Sequence, residues 1–273
     1  QEIYSTIKRN KLRTFLTGFA VAGGIFMLIV LLGAGNGLIH AFEESSSERA
    51  LNSIKIYPGW TSKSYDGLKE GRKIQLDNKD LRITDTHFPD YVIKAGASIW
   101  QGTVTISFGS EYASVGLAGV FPNHIEIETI KLFKGRFINE TDIKERRKVI
   151  VLHKKTAEIL FHKTHTEPIG QFVNMGNVAY RVVGLCNDKG DSGEKPALIP
   201  FSTLQTIYNK GDKLSCLTIA TKNLETIEAN ENFEKEYRKA LGANHRFDPT
   251  DNSALWIWNK FTNYLQQQKG MAI

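Results

Sequence analysis

The chain has 273 residues, of which 41% are hydrophobic and 23% charged, and a formal net charge of +6. This is ordinary globular composition, too apolar for a disordered tail, while a mean hydropathy of -0.28 excludes a protein built of several membrane helices within these residues. Half of the net charge sits in the first 14 residues, and no Arg/Lys stripe interleaved with aromatics follows, so nucleic acid is excluded as a partner.

The first element is apolar. Phe15 to Ile39 carries no charge, a run of about 25 residues where about 20 suffice to cross a bilayer. A signal peptide has a shorter apolar core of about 7–15 residues, so a retained membrane helix over residues 15–39 is expected. Lys8, Arg9, Lys11 and Arg13 precede it, and Glu43, Glu44 and Glu48 follow. The positive-inside rule then puts the amino-terminal side in the cytoplasm and the rest outside it.

Short strands and helices alternate after the span. "SIKIYPG" reads as a strand closed by a Pro-Gly turn, and Trp60 to Lys73, rich in glycine and charge, as a flexible loop. "GTVTISFG" and "ASVGLAGV" form a hairpin around Gly109-Ser110. "KVIVL" is a buried strand, and "KKTAEILFHK" a helix with Ala157, Leu160 and Phe161 at helical spacing. "QFVNMGNVAYRVVGL" is a second hairpin, around Gly176-Asn177. "PFSTLQTIY" is a short helix with Ser202 as its cap, "LSCLTIAT" a strand, and "NLETIEANENFEKEYRKALG" a long amphipathic helix ended by Gly242. The fold class is therefore α+β, in two small lobes rather than one sheet. From Ser253 the pattern predicts a helix with Leu255, Trp258, Phe261, Thr262 and Leu265 on one face. Trp256, Trp258 and Tyr264 are residue types of the membrane–water interface, and the closing "GMAI" reads as the opening of a second membrane helix.

Chemistry is nearly silent. There is no GxxxxGK(S/T) phosphate loop and no GxSxG elbow, so the chain is expected not to be an enzyme, with neither catalytic residues nor a cofactor of its own. His162 and His165 lack further ligands nearby and read as a surface pair, with no metal. "KERRK" (Lys144 to Lys148) reads as a solvated loop. Cys186 and Cys216 lie in strand-like apolar runs and read as buried thiols, with a disulfide between them, which a compartment outside the cytoplasm allows, as the alternative.

As a pattern the chain says more. "NKLRTFLTGFAVAGGIFMLIVLLGAGNGL" followed by "NSIKIYPG" resembles the start of a MacB-type ABC transporter permease, whose amphipathic elbow ends in an LRTxLT run before the first membrane helix. "GLAGVFPNHIEIETIKLFKGRFINETD" matches a further family segment at Gly119, Val120, Pro122, Gly135, Arg136, Phe137 and Asp142. "KVIVLHKKTAEILF", "EPIGQFVNMGNVAYRVVGL" with Pro168 and Gly170, and "ALIPFSTLQ" with Pro200 match others, in order, across most of residues 8–208. His153 stands where the family has Gly, and Trp60 to Asp90 matches nothing.

The resemblance implies a bacterial inner-membrane permease of the mechanotransmission class, which turns a partner's ATP hydrolysis into periplasmic motion for export or efflux. Residues 1–14 would be a cytoplasmic elbow, 15–39 the first membrane helix and 40–52 a stalk. Residues 53–252 would be a periplasmic core, a porter-like lobe with a small α/β lobe inserted at about 124–201, and 253–273 a second stalk leading into the next membrane helix. Leu38, Ile39 and Phe42 on one stalk would couple to Leu255, Trp258, Phe261 and Leu265 on the other. The implied partners are a cytoplasmic ABC ATPase that binds the ATP, a second permease in a homo- or heterodimer, membrane lipid, and a periplasmic adaptor with an outer-membrane channel. The alternatives are an FtsX-like regulator of cell-wall hydrolases and a lipoprotein-releasing permease of the same architecture.

Overall fold

The computed structural model describes residues 11–45, 52–128, 130–187 and 196–263. Contacts divide the chain into two units, Gln1–Ser47 and Glu48–Ile273. In the first, the described residues form one helix, α1 (Lys11–Ser45), 35 residues long and so about 52 Å at 1.5 Å per residue. Its described apolar side chains, among them Phe15, Phe19, Phe26 and Leu31, are exposed. Among the described residues no helix is long and apolar enough to cross a membrane. Side chains in α1 are described without a break only over residues 18–34, so the span expected over residues 15–39 remains a reading of the sequence. The elbow up to residue 10, the side chains of Leu38, Ile39 and Phe42, and all of Leu265 and the second span lie outside the described residues.

The second unit is a ten-stranded mixed sheet with helices packed against it. In chain order its elements are β1 (Ser53–Pro58), α2 (Asn78–His87), β2 (Val92–Phe108), β3 (Glu111–Val120), α3 (His124–Ile127), β4 (Lys131–Gly135), α4 (Glu140–Lys144), β5 (Val149–His153) and α5 (Lys154–Phe161). There follow β6 (Phe172–Met175), β7 (Val178–Asn187), β8 (Ala197–Pro200), α6 (Phe201–Ile207), β9 (Cys216–Thr221), α7 (Ile227–His245) and β10 (Leu255–Asn259). The strand order is β10-β1-β9-β2-β3-β8-β5-β7-β4, with β6 pairing β2 and β7. Both expected hairpins form, β2–β3 and β6–β7. The β3–β8 and β5–β7 pairs are parallel, and α5 is the crossover after β5. As expected of a strand covered on both faces, β5 is buried at all five positions.

Several expectations give way to packing. The sheet runs unbroken through residues 124–201, and residues 48–273 form one compact unit, so two lobes do not appear as two bodies. What the inserted segment adds is a small second core around Phe137, Ile138, Val151 and Cys186, closed by Ala118 and Val120 of β3. The loop from Trp60 to Lys73 is held rather than loose. The buried Asp251 carboxylate accepts from Ser62 N (2.6 Å), Ser62 Oγ (2.7 Å) and Lys63 N (3.1 Å), and Trp60 bridges to Lys73. α2 has no apolar stripe to announce it; the Asp77–Asp80 capping box starts it. Pro200, not Ser202, is the N-cap of α6, because the Ser202 hydroxyl donates to Ile143 O instead. Gly242 does not end α7, which runs on to Arg246 in the left-handed conformation; a Cβ at Gly242 would meet Phe247 O at 2.9 Å. Both cysteines are buried, and no disulfide joins them.

Candidate functional site

Two places gather the residues that matter. The first is where the chain enters and leaves the sheet. β1 lies between β9 and β10, and its register with β10 sets Ile54 opposite Asn259 and Pro58 opposite Leu255. The start of β1 therefore sits beside the end of β10, on neighbouring strands.

The helix expected from Ser253 begins instead at Lys260, because "LWIWN" alternates large apolar side chains with the period of a strand and pairs with β1. Leu255 is buried in the core and Trp258 is exposed on the outer side of the edge strand, with the Lys55 ammonium 5.9 Å from its ring centroid. Of the expected stalk residues, Phe261 alone lies on the described helical turn, residues 260–263. Asn259 starts that turn. Its Oδ1 accepts from Phe261 N at 3.0 Å and Thr262 N at 3.4 Å, the hydrogen bonding of an N-cap. Its Nδ2 donates to the buried Asn230 Oδ1 at 2.6 Å. Asn230 in turn donates to Leu224 O and Thr226 O at the start of α7.

Charge is concentrated at the same corner. Lys55 of β1 pairs with Glu128, just after α3, and Lys260 Nζ donates to Ile127 O at 2.7 Å. Burial pushes the Glu128 carboxyl up, but the ammonium of Lys55, then His124 and Lys260, outweigh it and hold the group below the usual carboxylate range. Burial, with Lys55 beside it, pushes Lys260 down. Burial raises Glu234 on α7, against Arg238 and a hydrogen bond with Asn259, while Arg238 Nη1 donates to Leu255 O at 2.7 Å. Sequence reasoning missed Lys55, Glu128 and Lys260. The available signal was Lys55, a lone charge in an apolar strand.

The second place holds the family-motif residues, and every one has a structural task. Gly135 ends β4 at φ +78°, and a Cβ there would lie 2.3 Å from Val183 O. Arg136 forks onto the buried Asp142 carboxylate, with Nη1 to Oδ2 at 2.6 Å and Nη2 to Oδ1 at 3.1 Å. Asp142 also accepts from Asn139 N and closes the capping box of α4. Phe137 fills the small core. Gly119 admits α6, since a Cβ would meet Leu204 Cβ at 2.7 Å. Pro122 lies in the turn before α3. Pro168 O accepts from Gln171 N, Gly170 N donates to Val182 O at 2.8 Å, and Pro200 leads β8 into α6.

Among the described residues one group has metal-donor spacing, Asp77, Asp80 and His245, with donor atoms within 4.8 Å of one another. Its carboxylates already serve as hydrogen-bond acceptors: Asp77 Oδ1 accepts from Lys79 N and Asp80 N, and Asp80 from Asp77 N, Asn244 and His245. It is a capped helix start tied to the end of α7. His162 and His165, with ring centroids 6.4 Å apart, line an open groove of about 290 Å³ together with Phe133, Lys154 and Phe161.

The profile of the MacB-like periplasmic core domain family matches residues 14–232. The macrolide export ATP-binding/permease protein MacB of Bartonella henselae is 27% identical over 224 residues, covering 81% of this chain and 33% of the relative. Its namesake from Chlorobium luteolum is 24% identical over 258 residues, 93% of this chain and 38% of the relative. The chain thus spans about a third of the length of these relatives. In fold it is similar to the periplasmic region of MacB from Actinobacillus actinomycetemcomitans, with a TM-score of 0.63, 19% identity and coverage of 82% of this chain and 96% of that one. It is also similar to the extracellular domain of the noncanonic ABC-type transporter YknZ from Gram-positive bacteria, with a TM-score of 0.61, 21% identity and coverage of 76% and 100%. With four-fifths of its length inside the family profile, the chain belongs to the MacB-like periplasmic core domain family.

Proposed function

We propose that this chain is the first membrane helix and periplasmic domain of an ABC transporter permease of the mechanotransmission class. A cytoplasmic ATPase partner binds and hydrolyses the ATP, and two permeases, identical or not, pair in the inner membrane. Residues 15–39 cross the bilayer with the amino terminus in the cytoplasm, and α1, about 52 Å long against a hydrocarbon core of about 30 Å, continues as a stalk. The motion delivered by the stalks shifts the inserted segment 124–201 against the rest of the domain and drives export, with a periplasmic adaptor and outer-membrane channel as the recipients. The relatives named as macrolide export proteins support export as the direction of work.

One observation carries this reading: the first and last strands of the described sheet, β1 and β10, pair antiparallel, with Ile54 at the start of one opposite Asn259 at the end of the other. Any displacement of one connection relative to the other is applied across a single strand pair. The test is a cysteine pair at Phe42 and Leu265 in the full-length permease with its ATPase. Cross-linking is expected to stop transport while ATP hydrolysis continues. Unimpaired transport by the cross-linked permease refutes relative stalk motion as the output step.

A further inference from the structure

We propose that Lys260, Glu128 and Lys55 form a clasp that hands the displacement of the returning helix directly to the inserted segment; this rests on the coupling reading above. Lys260 is the first helical residue after β10, and its ammonium holds the carbonyl of Ile127, at the end of α3. Glu128 follows at once and pairs with Lys55. Lys55 stands on β1 opposite Trp258 of β10. Three charged groups thus tie the incoming strand, the outgoing helix and the entrance of the inserted segment at one corner.

Two features separate this arrangement from ordinary packing. The junction is already fixed without it, since Asn259 caps the turn, bonds to Asn230 and pairs with Ile54. Lys260 adds a link to a different part of the chain. The alternative route is long: four strand pairings separate β10 from β3, the strand that leads into α3. The nearer route, α3 packed on β9, still crosses two pairings, β10–β1 and β1–β9; the Lys260 hydrogen bond makes the link in one step, and β4, the next strand in the chain, is the opposite edge of the sheet. Both charges are also held where burial opposes them: Lys55 above all offsets it for Glu128, and Glu128 offsets part of it for Lys260. Lys260 and Glu128 are positioning residues that act through α3.

The experiment uses the full-length permease with its ATPase in liposomes, spin-labelled at cysteines replacing the exposed Lys79 and Lys131, with Lys260→Met, Lys260→Arg and Glu128→Gln as variants. Without Lys260→Met or Glu128→Gln, ATP is expected to change the distance between the labels. Lys260→Met, which keeps the apolar stem, and Glu128→Gln should abolish most of that change and lower transport about five-fold or more, the scale of a modest coupling energy. ATP hydrolysis should be retained, and Lys260→Arg, which keeps a donor, should restore the distance change. A residue that only stabilised the fold would lower the melting temperature and leave the change intact in the folded fraction, and that result overturns the clasp. Normal distance change and transport in both variants overturn it equally. No ATP-dependent change even with Lys260 and Glu128 intact refutes the coupling reading, and the clasp with it.

Discussion

Replacing Gly135 by alanine separates two costs that are usually confounded. At φ +78° an L-residue pays for the left-handed conformation, on the order of 1–2 kcal/mol. Its Cβ would also stand 2.3 Å from Val183 O and 3.0 Å from Gly184 Cα, both backbone, so the neighbour cannot rotate away. Restoring contact distance means parting β4 from β7 by about 1 Å, which gives up the Arg136 N to Val183 O bond of 2.8 Å, worth about 1 kcal/mol. The total is about 3 kcal/mol, a fall of roughly 6–12 °C in melting temperature for a domain of this size. Gly176→Ala is the control. Gly176 has φ +60° with nothing within 4 Å of the added atom, so it pays only the conformational part, about 1–2 kcal/mol. Thermal unfolding of both variants, followed by tryptophan fluorescence, decides the matter. If Gly135→Ala melts at the same temperature as Gly176→Ala, the close approach of β7 is not what demands glycine.

Two further outcomes are expected. Arg136→Ala should cost about 2–3 kcal/mol in urea unfolding, below the range for fully buried pairs because Arg136 is part-exposed while Asp142 is not; Arg136→Lys, which cannot fork, should recover only part of it, and full recovery would refute a bidentate role. Stability should fall at alkaline pH: burial raises the Cys216 thiol from near 9 to about 12 and raises Tyr57, Tyr180 and Tyr237 as well. Above about pH 9 the unfolded chain releases these protons while the folded chain keeps them, so the loss grows as pH climbs toward the folded values. The urea midpoint should be lower at about pH 10.5 than at pH 8, and an unchanged midpoint contradicts the burial argument.

Much of the fold was legible because the sequence signals it locally. Gly109-Ser110 and Gly176-Asn177 mark their hairpins in two residues each, and "KVIVL" can scarcely be anything but a covered strand. The stretch at Ser253 misled because tryptophan is tolerated on either period; pairing with β1, nearly 200 residues earlier, decided it. α2 was invisible because its stability comes from a cap and from Thr84 bonding to Tyr237 of α7, not from an apolar stripe. The loop after Trp60 owes its order to Asp251, a partner no local window contains. The charged corner was unreadable for the same reason: Lys55, Glu128 and Lys260 meet only once three distant segments are assembled.

That β1 is the first of the ten strands to be made, while its partners β9 and β10 are the last two, bears on how the domain comes into being. Its two edges are filled by Cys216–Thr221 and Leu255–Asn259, so during synthesis it waits with both rows of amides and carbonyls unsatisfied while some 160 residues emerge behind it. An apolar strand with open edges is the kind of species that pairs with the wrong chain. The short length of β1, its central Lys55 and its terminal Pro58 are the devices that keep such a strand from aggregating, and the residues that finish the domain also protect its oldest strand.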